Sequence, residues 1–116
     1  MDKKEKTTTQ TRKVRILHKA FGDIDEIADF IAINNQQPLN AIKVTEAIFE
    51  TIKKIEQSPF AYKECGQIPT KTKIYRQAKC FSWIIIFKIL KAEILILGVI
   101  HGARSPKKIR ELKNLK

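Results

Sequence analysis

The stretch WIIIFKILKAEILILGVIHGAR, residues 83–104, decides how this chain folds. From Phe81 to Ile100 there are twenty mostly apolar residues, about the length that crosses a bilayer. Lys88, Lys91 and Glu93 stand in its middle, and each ionisable group at such a depth costs roughly 2.5–3.5 kcal/mol on insertion. The run is also rich in isoleucine and interrupted between Lys88 and Ala92, which suits two β-strands joined by a tight turn. A core hairpin of this kind would deliver His101 and Arg104 to a polar rim at the end of a sheet.

Outside this stretch, length and charge narrow the reading. The chain has 116 residues, one small domain, and 43% hydrophobic content, enough for a core. The opening MDKKEKTTTQTRK has no apolar segment behind its charges, so no secretory signal is expected and the chain reads as cytoplasmic, with no membrane partner. Cys65 and Cys80 lack a second pair or a CxxC, so neither a disulfide framework nor a metal site is indicated. Residues 1–59 hold ten Lys/Arg against nine Asp/Glu, whereas residues 60–116 hold thirteen against three. The second half therefore carries nearly all of the +11 net charge and attracts polyanions or an acidic protein.

The elements follow from periodicity. Residues 1–12 read as a flexible polar arm, 13–106 as a single domain and 107–116 as a basic tail. KVRILHKA (13–20) alternates as a short strand, with His18 inside it in a structural role. From Gly22 the spacing of Ile24, Ile27, Ala28 and Ile31 is helical, with Asp23, Asp25 and Glu26 in the first turn, and the helix should end near Asn34-Asn35. Pro38 suits the first position of a second helix, whose stripe from Ala41 to Ile55 runs until Ser58-Pro59. The short link makes the pair an antiparallel helical hairpin. After a loop over 60–72, strands are expected at about 73–79, 82–89 and 92–100. The middle strand is apolar on both faces, and two helices cover only one side of a sheet in so small a domain. The other side is thus expected to be concave or partner-binding. In KKIRELKNLK (107–116), after Ser105-Pro106, Ile109 and Leu112 are the only apolar grip, so this short basic helix or tail should be mobile or settle on a partner.

No GxGxxG, P-loop, HExxH or GxSxG occurs, nor the paired aromatics of single-strand binders, and no cofactor is implied. The fold class is α+β: a strand, an antiparallel two-helix hairpin, then a three-stranded antiparallel sheet. That order, carried by DIDEIADFIA (23–32), PLNAIKVTEAIFETIKKIEQSP (38–59), IYR (74–76), SWIIIFKI (82–89) and EILILGVIHGAR (93–104), resembles the RelE/ParE superfamily of bacterial toxins over about residues 13–106. The resemblance implies a type II toxin–antitoxin, or plasmid stabilisation, system in which a cognate antitoxin neutralises the toxin.

Two activities are implied by that superfamily. RelE-like members are ribosome-dependent mRNA endoribonucleases, in which a ribose 2′-hydroxyl attacks the neighbouring phosphate. This needs a base, an acid and cations against the charge that builds on phosphorus. The resemblance would make Arg76 the phosphate clamp, Arg104 a second cation and His101 the titrating group. The set is incomplete, since Tyr75 alternates away from Arg76, Phe87 stands where many nucleases of the family have tyrosine, and Glu64 is in a loop. ParE-like members inhibit DNA gyrase and commonly close their last strand with the H-G-x-R pattern, here His101 to Arg104. The chain is closer to that branch, with Arg76, His101, Arg104, Lys107 and Lys108 as expected target-binding residues. A non-toxic basic binding module on the same fold is the third reading. Apart from the resemblance, Arg76 reads as an ordinary surface arginine and His101 as a strand-ending residue; if the hairpin delivers polar groups to a functional rim, alanine at Arg76 or Arg104 should reduce toxicity while leaving the melting temperature nearly unchanged.

Overall fold

A computed structural model describes residues 12–102 and 106–115. Strand β1 (Lys13–Ile16) leads into α1 (His18–Asp29), a π-helical turn (Phe30–Asn34) and α2 (Pro38–Gln57). Then come β2 (Tyr75–Cys80), β3 (Trp83–Ile89), β4 (Glu93–His101), α3 (Pro106–Arg110) and a closing 3-10 turn (Glu111–Asn114). The sheet order is β1-β4-β3-β2, with β1 parallel to β4 and the other pairs antiparallel. The expected hairpin of two apolar strands is thus the centre of the sheet, and no helix among the described residues is long and apolar enough to cross a membrane.

The hairpin of α1 and α2 packs Ala20, Ile24, Ile27, Val44, Ile48, Ile52 and Ile55 onto one sheet face, against Ile85, Phe87, Ile94 and Ile96. The helices end as the sequence indicates, with Asn34 closing the first and Pro38 opening the second. The start of α1 differs. His18 is the first residue of α1 and not part of a strand, because Leu17 stops β1 by donating its N–H to Ile96 O at 3.0 Å, while its own carbonyl accepts the first helical bonds from Ala20 and Phe21. Asp23 therefore falls in the second turn of α1 and does not serve the helix dipole.

Its carboxylate has another partner. Since Ile16 pairs with Ile96, β1 no longer accompanies β4 beyond that point. There Asp23 Oδ2 accepts the Val99 N–H at 2.9 Å, while Lys19 Nζ donates to Asp23 Oδ1 at 2.7 Å. Gly98 permits this approach, since a Cβ there would lie 3.0 Å from Asp23 Oδ2 and 3.3 Å from Leu112. Asp23→Ala strands the Val99 amide and is expected to cost about 1–3 kcal/mol. Chemical denaturation should show that loss, and exchange of the Val99 amide should accelerate selectively; unaltered exchange would contradict the role.

The second face of the sheet is not open. Ile109 and Leu112 from the C-terminal segment, with Cys65 and Ile68 from the loop before β2, cover Tyr75, Ile86, Leu95, Leu97 and Ile100. The expected concave face is thus covered by the chain itself. The C-terminal segment, expected to be mobile or to settle on a partner, instead packs on its own sheet, because two apolar residues three apart on a helical turn fill one groove. Tyr75 Oη also donates to Lys113 O at 3.1 Å.

A bulge interrupts β4. Ile86 faces Gly98 and Phe87 faces Ile96, leaving Leu97 as the extra residue. Leu95 and Leu97 belong to the second face, whereas Val99 packs with the helical hairpin. Simple alternation would have put Leu95, Leu97, Val99 and His101 together, but one inserted residue reverses the faces beyond it.

Candidate functional site

Arg76 sits on β2, where an isolated bridge from Glu64 and the bonds Cys65 N–H to Tyr75 O (2.8 Å) and Gln77 N–H to Lys63 O (3.1 Å) tie the preceding loop to the sheet edge. Its guanidinium serves the same junction. Nε donates to Lys73 O at 2.8 Å and Nη1 to Tyr62 O at 2.8 Å, with a longer contact to Phe60 O at 3.4 Å. The Phe60 ring lies 5.2 Å from the Arg76 guanidinium and 5.3 Å from that of Arg12, which donates to Leu90 O at 2.7 Å. Arg76 thus anchors both ends of the loop before β2.

His101 is elsewhere. It ends β4 opposite Trp83, with the two rings edge to face at 5.9 Å, and it is exposed. Arg76 lies opposite Phe87, so about 13 Å of strand and two strand spacings separate it from His101. The structure does not gather these two residues into one cluster, and Arg104 lies outside the described residues. Lys107 and Lys108 are exposed on α3. Tyr75 faces away from Arg76 into the second core, Phe87 is fully buried against Tyr62, and Glu64 Oε2 accepts the Thr70 N–H at 3.2 Å. Burial pushes the Cys65 thiol up, which disfavours its nucleophilic thiolate form.

Two surfaces stand out. The first is the set of large apolar side chains that the helical hairpin leaves exposed, Phe21, Phe30, Ile33, Leu39, Ile42 and Phe49. Leu39 is 80% and Ile33 69% exposed, and the Phe21 and Phe49 rings approach to 6.5 Å. The expected open sheet face is absent, but an uncovered apolar surface exists on the hairpin. The second is an open cleft of about 520 Å³ at the far end of the sheet, lined by Lys63, Gln77, Lys79, Phe81, Ser82, Ile84, His101 and Gly102. Of these only His101 was anticipated from sequence. A signal for the rest existed at Phe81-Ser82, where a two-residue turn holds a bulky aromatic in place of the usual glycine or asparagine.

A helical hairpin on one face of a four-stranded sheet, a C-terminal segment on the other and an excess of cations in the second half define a small basic α+β domain. The family model for the ParE toxin of type II toxin–antitoxin systems, parDE, matches residues 14–106, and the chain belongs to that family. Among solved structures it is similar to a chain of the chromosomal ParDE toxin–antitoxin system from P. aeruginosa, at 21% identity and a TM-score of 0.63, over 79% of this chain and 97% of that one. At that identity the likeness bears on the fold alone. No curated protein matches significantly.

Proposed function

We propose that this chain is a growth-inhibiting cytoplasmic toxin that acts on DNA gyrase, breaks no bonds itself and is neutralised by a cognate antitoxin. Family membership supports the toxin–antitoxin part. The observation that favours gyrase over ribosome-dependent mRNA cleavage is the engagement of Arg76: its short bonds go to Lys73 O and Tyr62 O, and it stands far from His101. A phosphate clamp needs free, convergent donors beside an acid or base. Arg104, Lys107, Lys108 and His101 remain proposed contacts to the target.

The antitoxin would lay an apolar segment along the exposed Phe21, Phe49, Leu39 and Ile42 side chains and direct its acidic residues to the basic second half. An interface of about 1,000 Å² or more is usual for a stable complex. The purified chain should halt gyrase supercoiling while leaving translated messages intact. Cuts within codons with supercoiling undisturbed would assign the nuclease activity instead. Because Phe30 and Leu39 are exposed, serine at both should leave the fold intact yet weaken antitoxin binding by roughly 30-fold or more, as expected for central apolar anchors; undiminished affinity in a titration would move the interface off the hairpin.

A further inference from the structure

The cleft at the end of the sheet has features that neither membership of the family nor the proposed target requires. Phe81 occupies the first position of the two-residue turn between β2 and β3, with φ of 55°, a left-handed backbone that a bulky side chain adopts only at a cost. That cost yields little packing in return, since Phe81 is 53% exposed at the cleft. Lys63 and Lys79, on the same cleft, are exposed, and among the described residues neither has a carboxylate partner. Gln77 and Ser82 add polar groups to the wall, and among the described residues no acidic one lines it. Beyond the cleft, the segment packed on this same sheet face presents Lys107, Lys108, Arg110 and Lys113 to solvent. Of the exposed acids, Asp25, Glu26, Asp29, Glu46, Glu50 and Glu56 belong to the helical hairpin on the opposite face, and Glu111 stands among the four cations of the C-terminal segment.

We propose that this cleft binds a segment of single-stranded nucleic acid, with a base stacked on the Phe81 ring and the adjoining phosphates against Lys63 and Lys79. Two uncompensated cations alone would suit any polyanion. The strained, exposed ring selects among polyanions, because an unpaired base offers a flat π-face while the bases of a duplex are already stacked. A volume of about 520 Å³ accommodates a nucleotide unit, and the lysines beyond it continue the positive track that a phosphodiester chain follows. The proposal does not depend on which cellular target the toxin acts on.

The test uses the purified full chain and fluorescein-labelled oligothymidylate and oligouridylate, followed by anisotropy, with a labelled duplex and a labelled polyglutamate peptide alongside. Both single strands should bind more tightly than the duplex. Phe81→Gly should raise the melting temperature, since glycine accepts a positive φ, yet weaken single-strand binding by roughly 10-fold. Phe81→Trp should restore the affinity. Lys63→Gln and Lys79→Gln should each lower the slope of log affinity against log salt by about 0.7. Single-strand affinity unchanged in Phe81→Gly would overturn the proposal. So would a duplex bound as tightly as the single strands, or a polyglutamate peptide that loses as much affinity as the oligonucleotide on Phe81→Gly, which would make the cleft a site for acidic peptides.

Discussion

Ile86→Asp will abolish the cooperative folding transition. Ile86 is fully buried in the middle strand, opposite Gln77 on one side and Gly98 on the other, within the core that Leu112 and Ile109 close. The substitution forfeits about 1.5–3 kcal/mol of apolar burial. It also places a carboxyl group where burying a polar group without a hydrogen-bond partner costs about 2–7 kcal/mol. The sum, about 3.5–10 kcal/mol, is comparable with the roughly 5–15 kcal/mol that holds a small domain together. Ile86→Val, by contrast, should cost about 0.5–1.5 kcal/mol and keep a sharp melt. Near-ultraviolet circular dichroism of Trp83 reads both variants, and a native-like melt for the aspartate variant would refute the two-sided core.

Arg76→Ala should lower stability by about 2–3 kcal/mol, since it removes two short charge-assisted bonds and leaves the Lys73 and Tyr62 carbonyls without that donor. For a chain of this size that corresponds to a fall in melting temperature of roughly 8–12 °C. Arg76→Lys should recover little, because an ammonium group cannot span carbonyls as a planar guanidinium does. This reverses the expectation from sequence that alanine at Arg76 leaves the melt nearly unchanged. A shift of under about 2 °C would return Arg76 to the status of a free surface cation. Loss of toxicity in Arg76→Ala must therefore be compared with Lys107→Ala and Lys108→Ala, whose side chains are exposed on α3.

The arrangement of elements was legible because each has its own signal. Pro38 and the stripe to Ile55 mark α2, Asn34 marks the end of the preceding helix, and the doubly apolar β3 announces a strand covered on both sides. What covers its second face was not legible, since Ile109 and Leu112 are only two apolar residues in a lysine-rich segment and nothing local says where they dock. The bulge at Leu97 was equally hidden: alternation in β4 looks unbroken until the partner strand is known. Asp23 looked like a helix-start acid because its use depends on where β1 ends. Lys63, Lys79 and Phe81 come together only through the loop bridge and the β2–β3 turn, contacts that no spacing in the sequence encodes.

The parallel pairing of β1 with β4 has a consequence for how the chain is made. Lys13 finds its partner at Glu93, eighty residues later, so this edge of the sheet cannot zip until β4 has been synthesised. At 5–20 residues per second that delay is roughly 4–16 s. During it only the local contacts of the helical hairpin are available to the chain, with Ile24, Ile48 and Ile52 still lacking the strands they cover. Until β4 is made, the side chains that α1 and α2 turn to the sheet are uncovered in addition to Phe30, Leu39 and the others that stay exposed in the finished fold, and the cleft is unassembled. A partner that binds the helical hairpin, as proposed above for the antitoxin, would find all of its residues synthesised before the sheet can be completed.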